Sequence, residues 1–102
     1  MNSIVSGGCI ISAASLKRSL LFSNVRVHAR AMLEETVVFP GVEIGRDCHI
    51  RRAVIDSGCR IPDGTIIGEN PEEDARRFSI SSGGIVAISA EMLGQKSKPT
   101  EI

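Results

Sequence analysis

Residues 10–70 read IISAASLKRSLLFSNVR (10–26), VHARAMLEETVVFPGVE (27–43), IGRDCHIRRAVIDSGCR (44–60) and IPDGTIIGEN (61–70). Set one above another, these segments repeat every 17 residues. Ile10, Val27, Ile44 and Ile61 head them, and Leu16, Leu33, Ile50 and Ile67 stand six residues further on. Ala14, Ala31, Cys48 and Thr65 form a column of small residues, and Val25, Val42 and Cys59 form another. Leu20, Val37 and Val54 align, as do Leu21, Val38 and Ile55, and Ile4 extends the register backwards by falling 17 residues before Leu21. A fixed period of this kind marks a solenoid and outranks local propensity.

Each segment divides into sub-repeats of 6, 6 and 5 residues, most led by an aliphatic residue with a small or apolar residue two positions earlier. Residues two apart in a strand point the same way. Each sub-repeat therefore reads as one short strand with inward side chains and a sharp corner. Three sides close a coil, and stacked coils build a single core. The expected fold is all-β, a hexapeptide-repeat parallel β-helix of 17-residue coils. It spans residues 1–68, with Ile10, Leu16, Val27, Leu33, Ile44, Ile50, Ile61 and Ile67 inside.

The charged residues keep the same period. Lys17, Glu34 and Arg51 share a column, as do Arg18, Glu35 and Arg52, and Arg26, Glu43 and Arg60, while Arg30 faces Asp47. Coils lie about 4.8 Å apart, so these columns are alternating-sign ladders on the outside. Each exposed pair contributes only about 0.2–1 kcal/mol, and the larger effect is on register, because a slipped coil sets like charges together.

One side is apolar throughout: Leu20-Leu21-Phe22, Val37-Val38-Phe39 and Val54-Ile55. Strands that read this way are buried on both faces. Leu21, Val38 and Ile55 are expected to point outward as a hydrophobic ridge, the signature of an interface. Asp56 interrupts the column of Phe22 and Phe39.

The period stops after Gly68. Asn70-Pro71-Glu72-Glu73-Asp74 carries the signals of a helix start: an N-cap, a proline at the first position and acids in the first turn. Residues 79–84 read as a polar loop, and Ile85-Val86-Ala87-Ile88 as one more strand packing on the ridge. Ser89 is placed to cap a last turn through Glu91, Met92 and Leu93. Residues 69–102 thus form a C-terminal segment packed on the β-helix, with 95–102 expected to fray. At the other end, residues 2–9 are already in register and no capping element precedes them. Terminal repeats need one, so the reading expects further chain before Met1.

Composition narrows the function classes. The 102 residues leave room for one domain, and 42% hydrophobic content with only three aromatics, all Phe, suits a narrow aliphatic core. Twelve basic and twelve acidic residues balance, so no charge excess points to nucleic acid or an anionic membrane. Apolar runs are too short for a membrane span, and the first residues do not read as a signal peptide. Three cysteines without a C-x-x-C argue against a disulfide framework or zinc and for a cytoplasmic location. Cys48 and Cys59 fall in inward columns and read as core. There is no G-x-S-x-G, phosphate-cradling Gly loop or H-E-x-x-H. His28 or His49 could serve as the base of a free-standing acyltransferase. Arg46, Arg51, Arg52 and Arg60 cluster near a corner, as parts of the charge ladders or as an anion site.

Several stretches then occur in a telling order and spacing: Val54-Ile55-Asp56, Ile61-Pro62-Asp63-Gly64, residues 67–78 (IGENPEEDARRF), Gly84-Ile85-Val86 and Glu91-Met92-Leu93. They resemble the C-terminal part of the bacterial ADP-glucose pyrophosphorylase (glucose-1-phosphate adenylyltransferase) family. Hexapeptide repeats are common to many proteins, and the 68–78 stretch is the specific part. The resemblance implies a left-handed coil and a parent enzyme that makes ADP-glucose from ATP and glucose 1-phosphate for glycogen synthesis. It also implies Mg²⁺ in that parent, homotetramers and allosteric control. The family's Rossmann-like catalytic domain has no counterpart in this chain, which carries no catalytic or metal-binding residues and no cofactor of its own. The implied partners are that catalytic domain and other subunits, with Leu21, Val38 and Ile55 as the interface. The C-terminal domain of another sugar-phosphate nucleotidyltransferase is a further reading. Family members often carry Arg or Lys where this chain has Ser57 and Ala90, and some have Arg at the position of Gly94. The candidate effector residues here are Asp56, Ser57, Arg46 and Arg52, a set weaker in positive charge than the family pattern.

Overall fold

The computed structural model describes residues 3–95. Three parallel sheets form the sides of a prism. Side A stacks β1 (Ile4–Val5), β4 (Leu20–Leu21), β7 (Val37–Val38) and β10 (Ala53–Ile55). Side B stacks β2 (Ile10–Ile11), β5 (Arg26–Val27), β8 (Glu43–Ile44) and β11 (Arg60–Ile61). Side C stacks β3 (Ser15–Lys17), β6 (Met32–Glu34), β9 (His49–Arg51) and β12 (Ile66–Ile67). The parallel β-solenoid read from the repeat is the architecture found.

Between the sides the chain turns through left-handed backbone. Gly8, Asn24, Gly41 and Gly58 have positive φ between sides A and B, Ala13, Arg30, Asp47 and Gly64 between B and C, and Arg18, Glu35 and Arg52 between C and A. These three columns of corners, repeated coil after coil, allow two- and three-residue strands to close a triangle. The core is the stack of inward residues: Val27, Ile44 and Ile61 on side B, Leu16, Leu33, Ile50 and Ile67 on side C, with Val25, Val42, Cys59, Ala31 and Cys48 at the edges.

Two expectations need correction. First, Leu21, Val38 and Ile55 do not form an outward ridge. Each is fully buried, facing the prism interior with Ser19, Thr36 and Ala53 two residues earlier. The strand period of two then turns Leu20, Val37 and Val54 outward, and these are half-buried. Second, Ile10 is 59% exposed, and Ile11 takes its place in the column of Val27. The first coil is one residue short at its B–C corner: Ser12-Ala13-Ala14 stands where the next coil has His28-Ala29-Arg30-Ala31. So Ile4 pairs with Leu20 and Val5 with Leu21, 16 residues apart, whereas Leu16 pairs with Leu33 at 17. The apolar pair Ile10-Ile11 hides this slip from the sequence.

After Gly68 the chain leaves the prism. Asn70 caps α1 (Pro71–Arg77), its side chain accepting from the N–H groups of Glu72 and Glu73. The segment read as a loop contains a strand, β13 (Ser79–Ile80), antiparallel to β14 (Val86–Ile88). β14 lies parallel on β10, pairing Ala53 with Val86, Val54 with Ala87 and Ile55 with Ile88. Val86 and Ile88 are buried as the fifth rung of side A, while Ile85 is 42% exposed. A 3₁₀ turn, Glu91–Leu93, follows, with Ser89 Oγ accepting from Met92 N–H at 3.4 Å. Gln95 is hydrogen-bonded to Arg60 instead of frayed. The rest of the expected frayed tail, 96–102, lies outside the described residues.

Candidate functional site

The outward column of side A runs Ile4, Leu20, Val37, Val54 and Ala87, without a charge over five rungs. At its edge Phe22 and Phe39 stack with ring centroids 5.1 Å apart, tilted by 37°. Phe39, Val54, Ala87 and Met92 border a shallow groove of about 300 Å³ that ends at Asp56 and Ser89. The other two sides carry charge instead. Glu34 on side C receives Arg51 at 3.1 Å and Arg18 at 3.5 Å. At the B–C corner Arg30 grips Asp47 with two hydrogen bonds of 2.7 and 3.1 Å. Those hydrogen bonds are the first cause holding the Asp47 carboxyl below its usual range and the Arg30 guanidinium above its own. Side A thus carries a continuous uncharged strip beside two charged sides.

The four candidate effector residues do not converge. Asp56 and Ser57 adjoin the A–B corner at Gly58, where the Asp56 carboxylate accepts from the Ser57 N–H at 2.8 Å. Arg46 adjoins the B–C corner at Asp47, and Arg52 is itself the C–A corner. The arginine cluster divides in the same way. Arg46 and Arg60 line one groove of about 560 Å³ on side B. Arg51 is engaged by Glu34 on side C, and Arg52 donates to the carbonyl oxygen of Gly83 at 2.8 Å. Positions three to six residues apart share a corner in sequence but not in a coil that turns every five or six residues.

The histidines reach across coils. His28 Nε2 lies 2.7 Å from Glu43 Oε2 in the side B groove, and His49 Nδ1 lies 3.7 Å from Glu69 Oε1 on side C. Glu43 stands in the Arg26 and Arg60 column yet is engaged by His28, a pairing the ladder pattern did not foresee. A carboxylate-held imidazole has the form of a general base. In a coil stack it equally clamps two rungs. Cys48 and Cys59 are buried, and burial pushes the Cys59 thiol up to about 11, with Asp56 and Glu91 adding to the shift. Among the described residues no three His, Cys, Asp or Glu side chains gather as metal ligands.

Triangular stacking, left-handed corners and small inward residues define a hexapeptide-repeat solenoid. Residues 1–88 match the family model described as GlmU-like, C-terminal hexapeptide, and the chain belongs to that family. It is also 57% identical over 93% of its length to a glucose-1-phosphate adenylyltransferase of Dechloromonas aromatica, and 53% identical over 94% to one of Nitrosococcus oceani. A third, from Pectobacterium carotovorum, is 50% identical over 91%. The match falls on the C-terminal part of these enzymes, and the chain spans only 22–23% of their length.

Proposed function

We propose that this chain works as the C-terminal regulatory and oligomerisation domain of a glucose-1-phosphate adenylyltransferase. The observation that carries the reading is the 57% identity over 95 residues to such an enzyme, extending through the segment after the last coil. In this reading the parent, in the cytoplasm, transfers the adenylyl group of ATP to the phosphate of glucose 1-phosphate, giving ADP-glucose and releasing pyrophosphate. The Mg²⁺ and the reacting groups belong to the catalytic domain. No helix among the described residues is long and apolar enough to cross a membrane. The outward strip of Leu20, Val37 and Val54, flanked by Phe22 and Phe39, supports docking of that catalytic domain or of other subunits in a tetramer.

Effector control through this domain alone is weak in the same reading. Binding a phosphorylated ligand takes several converging donors, and Asp56, Ser57, Arg46 and Arg52 lie on three different corners. Calorimetry on the chain is expected to give millimolar or weaker dissociation constants for fructose bisphosphate, fructose 6-phosphate and AMP. A micromolar constant, lost in Arg52→Ala, contradicts this.

A free-standing acyltransferase is the second reading, favoured only by the His28–Glu43 contact in its groove. The two separate by assay. The regulatory-domain reading expects no acetyl-CoA turnover by the purified chain. Turnover lost in His28→Ala or His49→Ala overturns it.

A further inference from the structure

At the far end of the prism the three sheets stop in three different ways. Side A continues into β14 and β13. On side C the Gly68 N–H donates to Oδ2 of Asp74 at 2.9 Å, and that aspartate is buried. On side B β11 is the last strand among the described residues. There the Arg60 N–H donates to Gln95 Oε1 at 2.9 Å, and Gln95 Nε2 donates to the Arg60 carbonyl oxygen at 2.6 Å. A residue facing Arg60 on an antiparallel strand would exchange the same two bonds. The carboxamide supplies one carbonyl and one N–H, as a peptide group does.

We propose that Gln95 is a strand mimic, latching the strap Glu91–Gln95 across the open edge of β11 and so closing that edge to an extended peptide backbone. Uncovered strand edges are ready templates for pairing, and proteins close them. The strap is built to deliver this one side chain. Leu93 packs on the core, Gly94 turns the chain at φ 73°, and Gln95 N–H returns to the Ala90 carbonyl oxygen at 2.8 Å. Gln95 and Arg60 also both line the two grooves on side B, of about 560 and 690 Å³. Releasing the latch therefore reshapes both grooves together.

The test is residue-resolved amide hydrogen exchange on the full chain. Gln95→Ala should speed exchange at the Arg60 amide by about fivefold or more, the scale of one backbone-type hydrogen bond. Arg26, two rungs inside the same sheet and bonded to the Val42 carbonyl oxygen, should not change. Gln95→Glu keeps the volume and the acceptor but loses the donor, so its Arg60 exchange should fall between wild type and Gln95→Ala. Unchanged Arg60 exchange in Gln95→Ala, an equal rise at Arg26, or wild-type exchange in Gln95→Glu overturns the latch.

Discussion

Asp47 occupies a corner with φ 57°, and its carboxylate is gripped by Arg30 from the coil before it. Short polar side chains tolerate the left-handed backbone better than most, so one residue supplies both the turn and the inter-coil bond. Its pKa is lowered in the folded state, chiefly by the Arg30 hydrogen bond. Its contribution is therefore present above the unfolded carboxyl value, about 3.9, and fades as pH falls through the lower folded value. Melting temperatures of wild type and Asp47→Asn should differ at pH 6 and converge as pH falls below about 4. A constant gap down to pH 2 would assign the difference to the corner conformation instead. The cysteines give a second residue-scale prediction. Cys9 is half-buried, while Cys48 and Cys59 are inside with thiol pKa values raised by burial. Thiol labelling at pH 8 should take Cys9 first and reach the other two only at the rate of unfolding. Equal labelling of all three in the native protein would contradict the inward columns.

The strands of side A show what the sequence made legible and where it stopped. From Ser15 onward the 17-residue columns match the residues that stack, while the first coil before it is one residue short. The columns did not fix which face of an all-apolar strand points inward, since Leu20-Leu21 and Val37-Val38 offer no polar residue to break the tie. The tie is broken two positions earlier: Ser19, Thr36 and Ala53 are small, and they sit inside with Leu21, Val38 and Ile55. The same sub-repeat rule used elsewhere in the chain would have chosen correctly. Neighbouring substitutions test the assignment. Val38→Asp buries an unpaired charge and should abolish folding by circular dichroism. Val37→Asp should cost less than about 1 kcal/mol in the isolated chain. The reverse order would restore the outward ridge at Leu21, Val38 and Ile55. Gly68 marks the exit from the last coil with φ 90°, and a Cβ there would lie 2.2 Å from the Arg51 carbonyl oxygen. Gly68→Ala must distort that exit, at roughly 1–3 kcal/mol by denaturant unfolding. No loss of stability would mean the exit is looser than its geometry indicates.

In the whole molecule, the solenoid core and the outward strip of side A share the same three strands. Inward Leu21, Val38 and Ile55 hold the coils, and outward Leu20, Val37 and Val54 are half-buried on the other face of the same strands. The candidate site was less legible than the fold, because a ligand or partner surface gathers residues from different coils and corners, which a one-dimensional period does not display. It drew Arg46 and Arg52 together in sequence where the prism sets them on different corners, and it left the His28–Glu43 contact and the Gln95 latch unseen. The central proposal is that this domain docks through side A onto the catalytic domain of a nucleotidyltransferase parent. The direct measurement is binding of the purified chain to the separately produced catalytic part of the Dechloromonas aromatica relative, by calorimetry, with Val37→Asp and Met32→Asp compared against wild type. Met32 faces outward on side C and is 50% exposed, so it controls for surface charge. The account predicts binding that Val37→Asp weakens at least tenfold and Met32→Asp leaves within about twofold, as expected when a charge enters only one of two faces. Binding unaffected by Val37→Asp but lost in Met32→Asp would contradict it and move the interface to side C.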